Sequence, residues 1–248
     1  MTRVNVISQG ETRLRLTDAL LMYRTGSGQV YATAHPVHLD PENPQRKMIG
    51  AGAPLSKANL ATFARAVGAA TAFGGFVPEN LLYTSANMIA WWVPASIRRS
   101  WFKANARAAE MGERSGDVAH PALVFVVVPG DWYVFALRDS ARPGPATQLQ
   151  HAPHFNVWDG GRICTGSVTL PPAIEADAIR DYEAAFFRSR FTHPNRADAV
   201  KYRGGATALW IDQLNKPDMP AMVRALRPAK ETLRQAIERI TARHNKSQ

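Results

Sequence analysis

A continuous run of apolar residues at 122–128 predicts a β-strand in the interior of the fold. Because every position in the run is apolar, both faces of this strand are expected to be covered, which is typical of a central strand. Pro129-Gly130-Asp131 follows as a turn, and the stretch 132–137 pairs back on the first strand. The pattern therefore predicts a β-hairpin at the centre of the protein.

The first 70 residues carry a hairpin pattern followed by a helix pattern. Residues 12–38 predict a hairpin that turns at Gly26-Ser27-Gly28, and the segment 40–54, rich in proline, glycine and charge, predicts a loop. A helix is expected from a cap at Ser56 to about Ala70, because apolar residues recur there at three- and four-residue spacings. The apolar residues that define these elements are Leu14, Leu16, Leu20 and Met22 in the hairpin and Leu60, Phe63, Ala64 and Val67 in the helix.

Several later segments show strand or helix spacing. Apolar and β-favouring residues over 81–93 predict a strand. The arginine-rich segment 97–112 predicts a helix with Trp101 and Phe102 on its inner side, and helical spacing returns over 173–190. The chain is then expected to form a loop at His193-Pro194-Asn195, a short segment around Leu209-Trp210-Ile211, and a final helix that begins at or near Pro228 and carries Leu233, Ile237 and Ile240.

The single cysteine of the chain, Cys164, lies in a segment rich in glycine and other small residues. Asn156 stands eight residues before it, and His154 stands ten residues before it. Between Asn156 and Cys164, Asp159-Gly160-Gly161 predicts a turn that folds the chain back on itself. We therefore expect the carboxamide of Asn156 and the thiol of Cys164 to lie close together.

This segment resembles the active-site segment of ubiquitin-conjugating enzymes, in which a His-Pro-Asn triplet, an aliphatic residue and a glycine-containing turn precede Ile or Val and the catalytic cysteine. The match runs through His154-Phe155-Asn156-Val157, Gly160-Gly161 and Ile163-Cys164. Phe155 replaces the proline of the family, and Thr165-Gly166 replaces the pair that usually follows the cysteine. Over residues 81–215 the chain also resembles the protein B family of PRTRC cassettes, which are mobile-element gene clusters.

The resemblance implies an α+β fold of the ubiquitin-conjugating-enzyme type, with an antiparallel meander sheet backed by helices. Residues 51–248 would form this domain with its carboxy-terminal helix, and residues 1–50 would add an N-terminal β-hairpin. The implied partners are a bacterial ubiquitin-like protein, a ThiF-like activating enzyme and a metalloprotease deconjugase of the same cassette. The expected function is therefore that of an acyltransferase, which accepts the modifier as a thioester on Cys164 and transfers it to an acceptor.

A cysteine suits this transfer because its thiolate both attacks a thioester and leaves again. The carboxamide of Asn156 either donates a hydrogen bond to the tetrahedral oxyanion or only holds the shape of the loop. For His154 we expect ring hydrogen bonds that fix the loop, with proton transfer as the other role. Small neighbours would let the tail of the modifier approach the sulfur, and the expected contacts are Gly160, Gly161, Thr165 and Gly166.

The formal charge of +10 and the pI near 10.2 favour a partner with an acidic surface or a nucleic acid. The basic residues are dispersed along the chain, so nucleic acid is not expected as the main partner. The alternative function is a non-catalytic module of the same fold in a plasmid or mobile-element maintenance complex, associated with nucleic acid. The final helix is expected to have a basic face that is either only solvated or a docking surface for an acidic partner, with Arg227, Lys230, Arg234 and Arg243.

Other classes of site find less support. A hydrolase with Cys164 as nucleophile and a histidine as base is the rival enzyme class. Its nucleophile would normally begin a helix, whereas the residues after Cys164 favour strand or loop. One cysteine and scattered histidines give no metal-ligand spacing, and Gly204-Gly205 lacks the residues that complete a phosphate loop. Neither a metal nor another cofactor is expected.

The chain also lacks the patterns that direct a protein into or through a membrane. Its start has no signal-peptide pattern, and no apolar run approaches the roughly 20 residues of a membrane span. A single cysteine cannot form an internal disulfide, so the fold does not depend on oxidation. We therefore expect a cytoplasmic protein whose thiol is available for chemistry.

Overall fold

The computed structural model describes residues 16–26, 30–43, 45–55, 77–166 and 168–246. These residues fall into two compact units, one within residues 1–74 and the other within residues 75–248. The predicted domain boundary at residue 50 stays a prediction. All of the predicted site residues belong to the second unit.

The first unit is an antiparallel sheet built on a long hairpin. β1 (Asp18–Arg24) pairs with β2 (Val30–Leu39), so the predicted hairpin is confirmed. The predicted loop at 40–54 is wrong in part, because β3 (Lys47–Ile49) and β4 (Ala53–Pro54) both pair with the free edge of β2. The helix predicted from Ser56 to Ala70 lies outside the described residues.

The second unit is organised around a six-stranded antiparallel sheet in the order β13-β11-β10-β9-β6-β5. Its centre is the hairpin of β9 (Leu123–Val128) and β10 (Asp131–Ala136), as the apolar run predicts. The strand predicted over 81–93 is confirmed in part, because the chain turns within it and forms two paired strands, β5 (Leu81–Ser85) and β6 (Met88–Val93). β11 (Gln148–His151) and β13 (Pro228–Thr232) extend the sheet beyond β10.

Helices cover this sheet on both faces, which explains the continuous apolar sequence of β9. On one face of the sheet, Leu123, Phe125 and Val127 of β9 pack in a cluster with α1 (Ile179–Phe187) and α2 (Gly205–Asn215). Val124 and Val126 pack on the opposite face with α4 (Leu233–Lys246). A short helix, α3 (Met219–Ala225), adds to the first cluster. The described part of the unit is therefore a mixed α and β structure in which helices back an antiparallel sheet.

A smaller sheet forms where the sequence predicts a helix. β7 (Ser96–Lys103) pairs with β8 (Glu113–His120), and β12 (Arg190–Phe191) lies parallel to β7. The predicted helix at 97–112 is thus wrong apart from a short 3-10 turn. Burial alternates along β7, which is the period of a strand, and pairing with β8 outweighs the local helical tendency.

The carboxy-terminal helices agree with the prediction in part. The helix predicted over 173–190 is confirmed in part, as α1 over Ile179–Phe187, and the short segment at 209–211 lies inside α2. The predicted helix start at Pro228 is wrong, because α4 begins at Leu233. Thr232 and Gln235 exchange hydrogen bonds between side chain and backbone at 2.8 and 3.3 Å, and this capping box starts the helix. In the described part of the chain, no helix is both long and apolar enough to cross a membrane.

Candidate active site around the cysteine

Cys164 ends a small hairpin, here termed the flap, which comprises residues 156–164. Val157 and Ile163 form a bridge between its two arms. The backbone N–H of Cys164 donates to the carbonyl oxygen of Asn156 at 2.7 Å. The predicted turn between these two residues is therefore confirmed, and it brings their backbones together.

The returning arm of the flap is fastened to β10. The N–H of Ile163 donates to the carbonyl oxygen of Trp132 at 2.9 Å. The guanidinium of Arg162 pairs with the carboxylate of Asp131 at 2.7 Å. The backbone that leads to Cys164 is thus held by the main sheet, whereas Cys164 itself is exposed.

The side chain of Asn156 is bonded to the segment around β12. Its Oδ1 accepts from the N–H of Thr192 at 3.2 Å and from the Thr192 hydroxyl at 2.7 Å, and its Nδ2 donates to the carbonyl oxygen of Arg190 at 3.3 Å. The backbone of Asn156 has a φ of 62°, a left-handed conformation that asparagine tolerates better than most residues. These contacts favour the role of holding the loop, and they use one of the two N–H bonds of the carboxamide.

Phe155, which stands where the resembled family has proline, is fully buried. Its ring packs edge-on against Phe102 with the centroids 5.6 Å apart. Proline would restrict the backbone before Asn156 through its ring and its fixed φ. In this chain the buried ring of Phe155 fixes the backbone before Asn156 by packing in the core.

The His193-Pro194-Asn195 triplet forms a loop, as predicted, and this loop lies against the flap. The N–H of Asn156 donates to the carbonyl oxygen of His193 at 3.0 Å. The Nδ1 of His193 lies 2.9 Å from the Thr192 hydroxyl and 2.9 Å from the amide nitrogen of Asn105. Asn105, His193 and Thr192 therefore form a polar chain that ends on Asn156, which the sequence spacing did not predict.

His154 lies in the core rather than on the flap surface, with 3% of its surface exposed. Its Nε2 lies 2.9 Å from the Nδ1 of His120 in β8, and the Nε2 of His120 lies 3.0 Å from the hydroxyl of Ser100. The sequence did not indicate this partner. The arrangement supports a role in fixing the chain before the flap. The aromatic rings that pack around His154 are Phe186, Phe191 and Trp210.

The two buried histidines predict a loss of stability in acid. Burial, with a smaller contribution from Arg98, lowers the pKa of His120 to about 3. Burial, followed by the neighbouring His120, lowers the pKa of His154 well below its usual value. As the pH falls below about 6.5, the histidines of the unfolded chain take up protons while the buried rings of the folded chain stay neutral, so the free energy of unfolding should decrease, with a slope that approaches one proton per ring.

Urea unfolding at pH 7.5 and pH 5.0 measures this effect. His154→Gln, which keeps a polar group without titrating, should show a clearly smaller difference between the two pH values than the wild type. The matched control is His38→Gln, an exposed histidine of the first unit. The same pH dependence in wild type and His154→Gln would contradict the assignment.

The residues predicted to contact a modifier tail differ in their surroundings. Gly161 is buried, and a Cβ added to it would meet the ring of Phe135 at 2.7 Å, so packing alone requires glycine there. Gly166 has a φ of +52° and open space at its Cβ position. The backbone carbonyl of Thr165, which is partly exposed, accepts a hydrogen bond from the N–H of Val168 at 2.8 Å. Of the predicted contacts, Gly160, Thr165 and Gly166 remain accessible.

Two arginines that the sequence did not single out hold the tip of the flap. The Nη1 of Arg196 lies 2.7 Å from the carboxylate of Asp159, and the Nη2 of Arg239 donates to the carbonyl oxygen of Gly160 at 3.1 Å. Arg196 comes from the loop after β12, and Arg239 comes from α4. Both ends of the flap, its base at Asn156 and its tip, are therefore held by segments distant in sequence.

A comparison with protein families places these residues in a wider context. The model of Prokaryotic E2 family D matches residues 57–226, which is more than half of the chain. The matched range includes the whole flap, the His193 loop and every predicted site residue. Neither the curated proteins nor the solved structures include a significant match.

Proposed function

Because this chain belongs to prokaryotic E2 family D, whose members are ubiquitin-conjugating-like proteins, we propose that it carries a ubiquitin-like modifier as a thioester on Cys164. The observation that carries the proposal is the position of Cys164. It is exposed, and it ends a flap whose backbone is fastened to β10. A fixed backbone beside an open thiol suits a nucleophile that must receive the tail of another protein.

The proposed reaction is a pair of acyl transfers. The Cys164 thiolate attacks the carbonyl carbon of a thioester on the activating enzyme, a new C–S bond forms, and the sulfur of that enzyme leaves as a thiolate. An acceptor amine then attacks the same carbonyl carbon, the bond to Cys164 breaks, and an amide forms while the amine loses a proton to water. No oxidation or reduction occurs, because each step exchanges one bond to the carbonyl carbon for another. The free energy of the first thioester comes from ATP, through the activating enzyme.

The surrounding residues have supporting roles in this proposal. Asn156 donates its remaining N–H to the tetrahedral oxyanion while Thr192 holds the carboxamide. His154 fixes the chain before the flap through His120. Gly160, Thr165 and Gly166 leave room for the modifier tail on both sides of Cys164.

The partners in the proposal follow from the resemblance of the chain to PRTRC protein B. They are a bacterial ubiquitin-like protein, a ThiF-like activating enzyme, and a metalloprotease that removes the modifier, all acting in the cytoplasm.

Reconstitution tests the proposal. The purified chain, incubated with the activating enzyme, the modifier and ATP, should gain one modifier mass in an adduct that disappears when a thiol reductant is added. The adduct should not form without ATP or without the activating enzyme. If no reducible adduct forms with all components active, the carrier function is rejected.

A further inference from the structure

A cleft of about 990 Å³ opens beside the tip of the flap. Its wall includes Asp159 and Gly160 of the flap itself, together with residues of the loop after β12, α3, β13 and α4. Seven of the lining side chains are lysine or arginine and three are carboxylates, which leaves an excess of four positive charges. The net positive charge of this chain is therefore concentrated in part at this cleft.

The carboxylates of the cleft are already paired. Arg196 binds Asp159 at 2.7 Å and Asp198 at 2.6 Å, and Arg239 binds Glu231 at 2.8 Å. Two arginines thus account for all three carboxylates. Within the part of the chain that the structure describes, the other five cations of the lining form no ion pair, and all five are exposed: Arg138, Lys201, Arg224, Arg227 and Lys230.

Lys230 has an unusual backbone for a residue within a strand. Its φ is 60°, in the left-handed region that lysine rarely adopts. Such a conformation persists only where the surrounding structure imposes it. With this backbone conformation, Lys230 is exposed and lines the cleft.

We propose that the cleft binds an acidic segment of the modifier. The five exposed cations that form no ion pair with the described residues attract carboxylates. Leu226, Pro228 and Ala229 add apolar surface for the aliphatic parts of a peptide. Among the described residues of the lining, His151 is the one aromatic ring, so the lining offers little of the stacking surface that single-stranded nucleic acid uses.

The position of the cleft favours the modifier as the occupant, and this step rests on the proposed function. Gly160 lines the cleft and lies four residues before Cys164 in the same flap. A modifier joined to Cys164 is therefore tethered close to the cleft, and tethering makes a weak electrostatic contact effective. Bound carboxylates would also lie beside Arg196 and Arg239, which hold the flap tip.

Binding of a fluorescent octaglutamate peptide, followed by anisotropy at low salt, tests the chemistry of the cleft. Arg224→Glu combined with Lys230→Glu should weaken binding at least tenfold. The control is Arg99→Glu combined with Arg114→Glu, two exposed residues outside the cleft that change the net charge equally. Equal weakening in both variants would overturn the proposal. So would an octathymidylate that binds the wild type tenfold more tightly than the peptide at the same salt, because a nucleic acid would then be the occupant.

Titration with the free modifier and with the free activating enzyme identifies the partner. The cleft variant should lose at least tenfold in affinity for the modifier and keep its affinity for the activating enzyme; loss for the enzyme alone would overturn the assignment. Thioester formation on Cys164 is measured separately. A reducible adduct with unchanged affinity for the modifier in the cleft variant rejects the cleft and keeps the carrier function, and the absence of any adduct on the wild type rejects the carrier function.

Discussion

Cys164→Ala should form no adduct with the modifier, whereas the wild type should be loaded in the presence of ATP and the activating enzyme. The reason is that this chain has one cysteine, so no second thiol can accept the acyl group. Loss should be complete within the limits of detection. Cys164 is exposed, so the substitution should leave the free energy of unfolding nearly unchanged. Gel analysis with and without reductant, on the same samples, measures the effect.

Cys164→Ser provides the matched control for the chemistry. A serine at the same place would give an oxygen ester, which resists thiol reductants while remaining sensitive to base. An adduct in Cys164→Ser that survives reduction would thus confirm the attachment site. A reducible adduct that persists in Cys164→Ala would show that the modifier is attached elsewhere, and the central proposal would be withdrawn.

Replacement of Asn156 should separate loading from discharge. Attack on the thioester of the activating enzyme depends on the thiol, whereas transfer to an amine depends more on stabilising a new oxyanion. We expect Asn156→Asp to load near the wild-type rate and to discharge onto a free amine about 100-fold more slowly, equivalent to roughly 2.7 kcal/mol in the barrier. Aspartate keeps the acceptor for Thr192 and removes the N–H donors. Single-turnover assays measure both steps.

Two further variants distinguish an oxyanion donor from a residue that only shapes the flap. Asn156→Gly removes the carboxamide while tolerating the φ of 62°, a conformation in which alanine would add strain. Thr192→Val removes the hydroxyl that holds Oδ1 at 2.7 Å and leaves the N–H donors of Asn156 in place. Thr192→Val should slow discharge only several-fold. Equal slowing of loading and discharge in folded Asn156→Asp would leave Asn156 a structural residue.

The backbone of the flap could be predicted from the local sequence, whereas the direction of one of its side chains could not. Eight residues separate Asn156 from Cys164, and the glycine-containing turn lies between them, so neighbouring parts of the chain suffice to predict the hairpin. The same holds for β9 and β10, whose apolar run and Pro-Gly-Asp turn are contiguous. The direction of the Asn156 side chain was not predictable, because Thr192 lies 36 positions away.

The error at 97–112 has a related cause. The arginine, alanine and aromatic residues of this segment favoured a helix, and no local pattern indicated that β8 would pair with it. In the folded chain β7 and β8 pair over eight positions, from Ser96 opposite His120 to Lys103 opposite Glu113. Strand propensity depends strongly on such pairing and on burial, so the tertiary structure decided the element.

The sequence by itself determined the central hairpin and the flap that ends at Cys164, because each rests on residues close together in the chain. It also carried the resemblance that the family match supports at the level of prokaryotic E2 proteins. Only the tertiary structure joined His154 to His120, and Gly160 to Arg239, which are 34 and 79 positions apart. Only the tertiary structure brought Arg138, Lys201 and Arg224 into one cleft with Arg227 and Lys230. Such contacts arise when packing brings distant segments together, and no periodicity in the sequence marks them in advance.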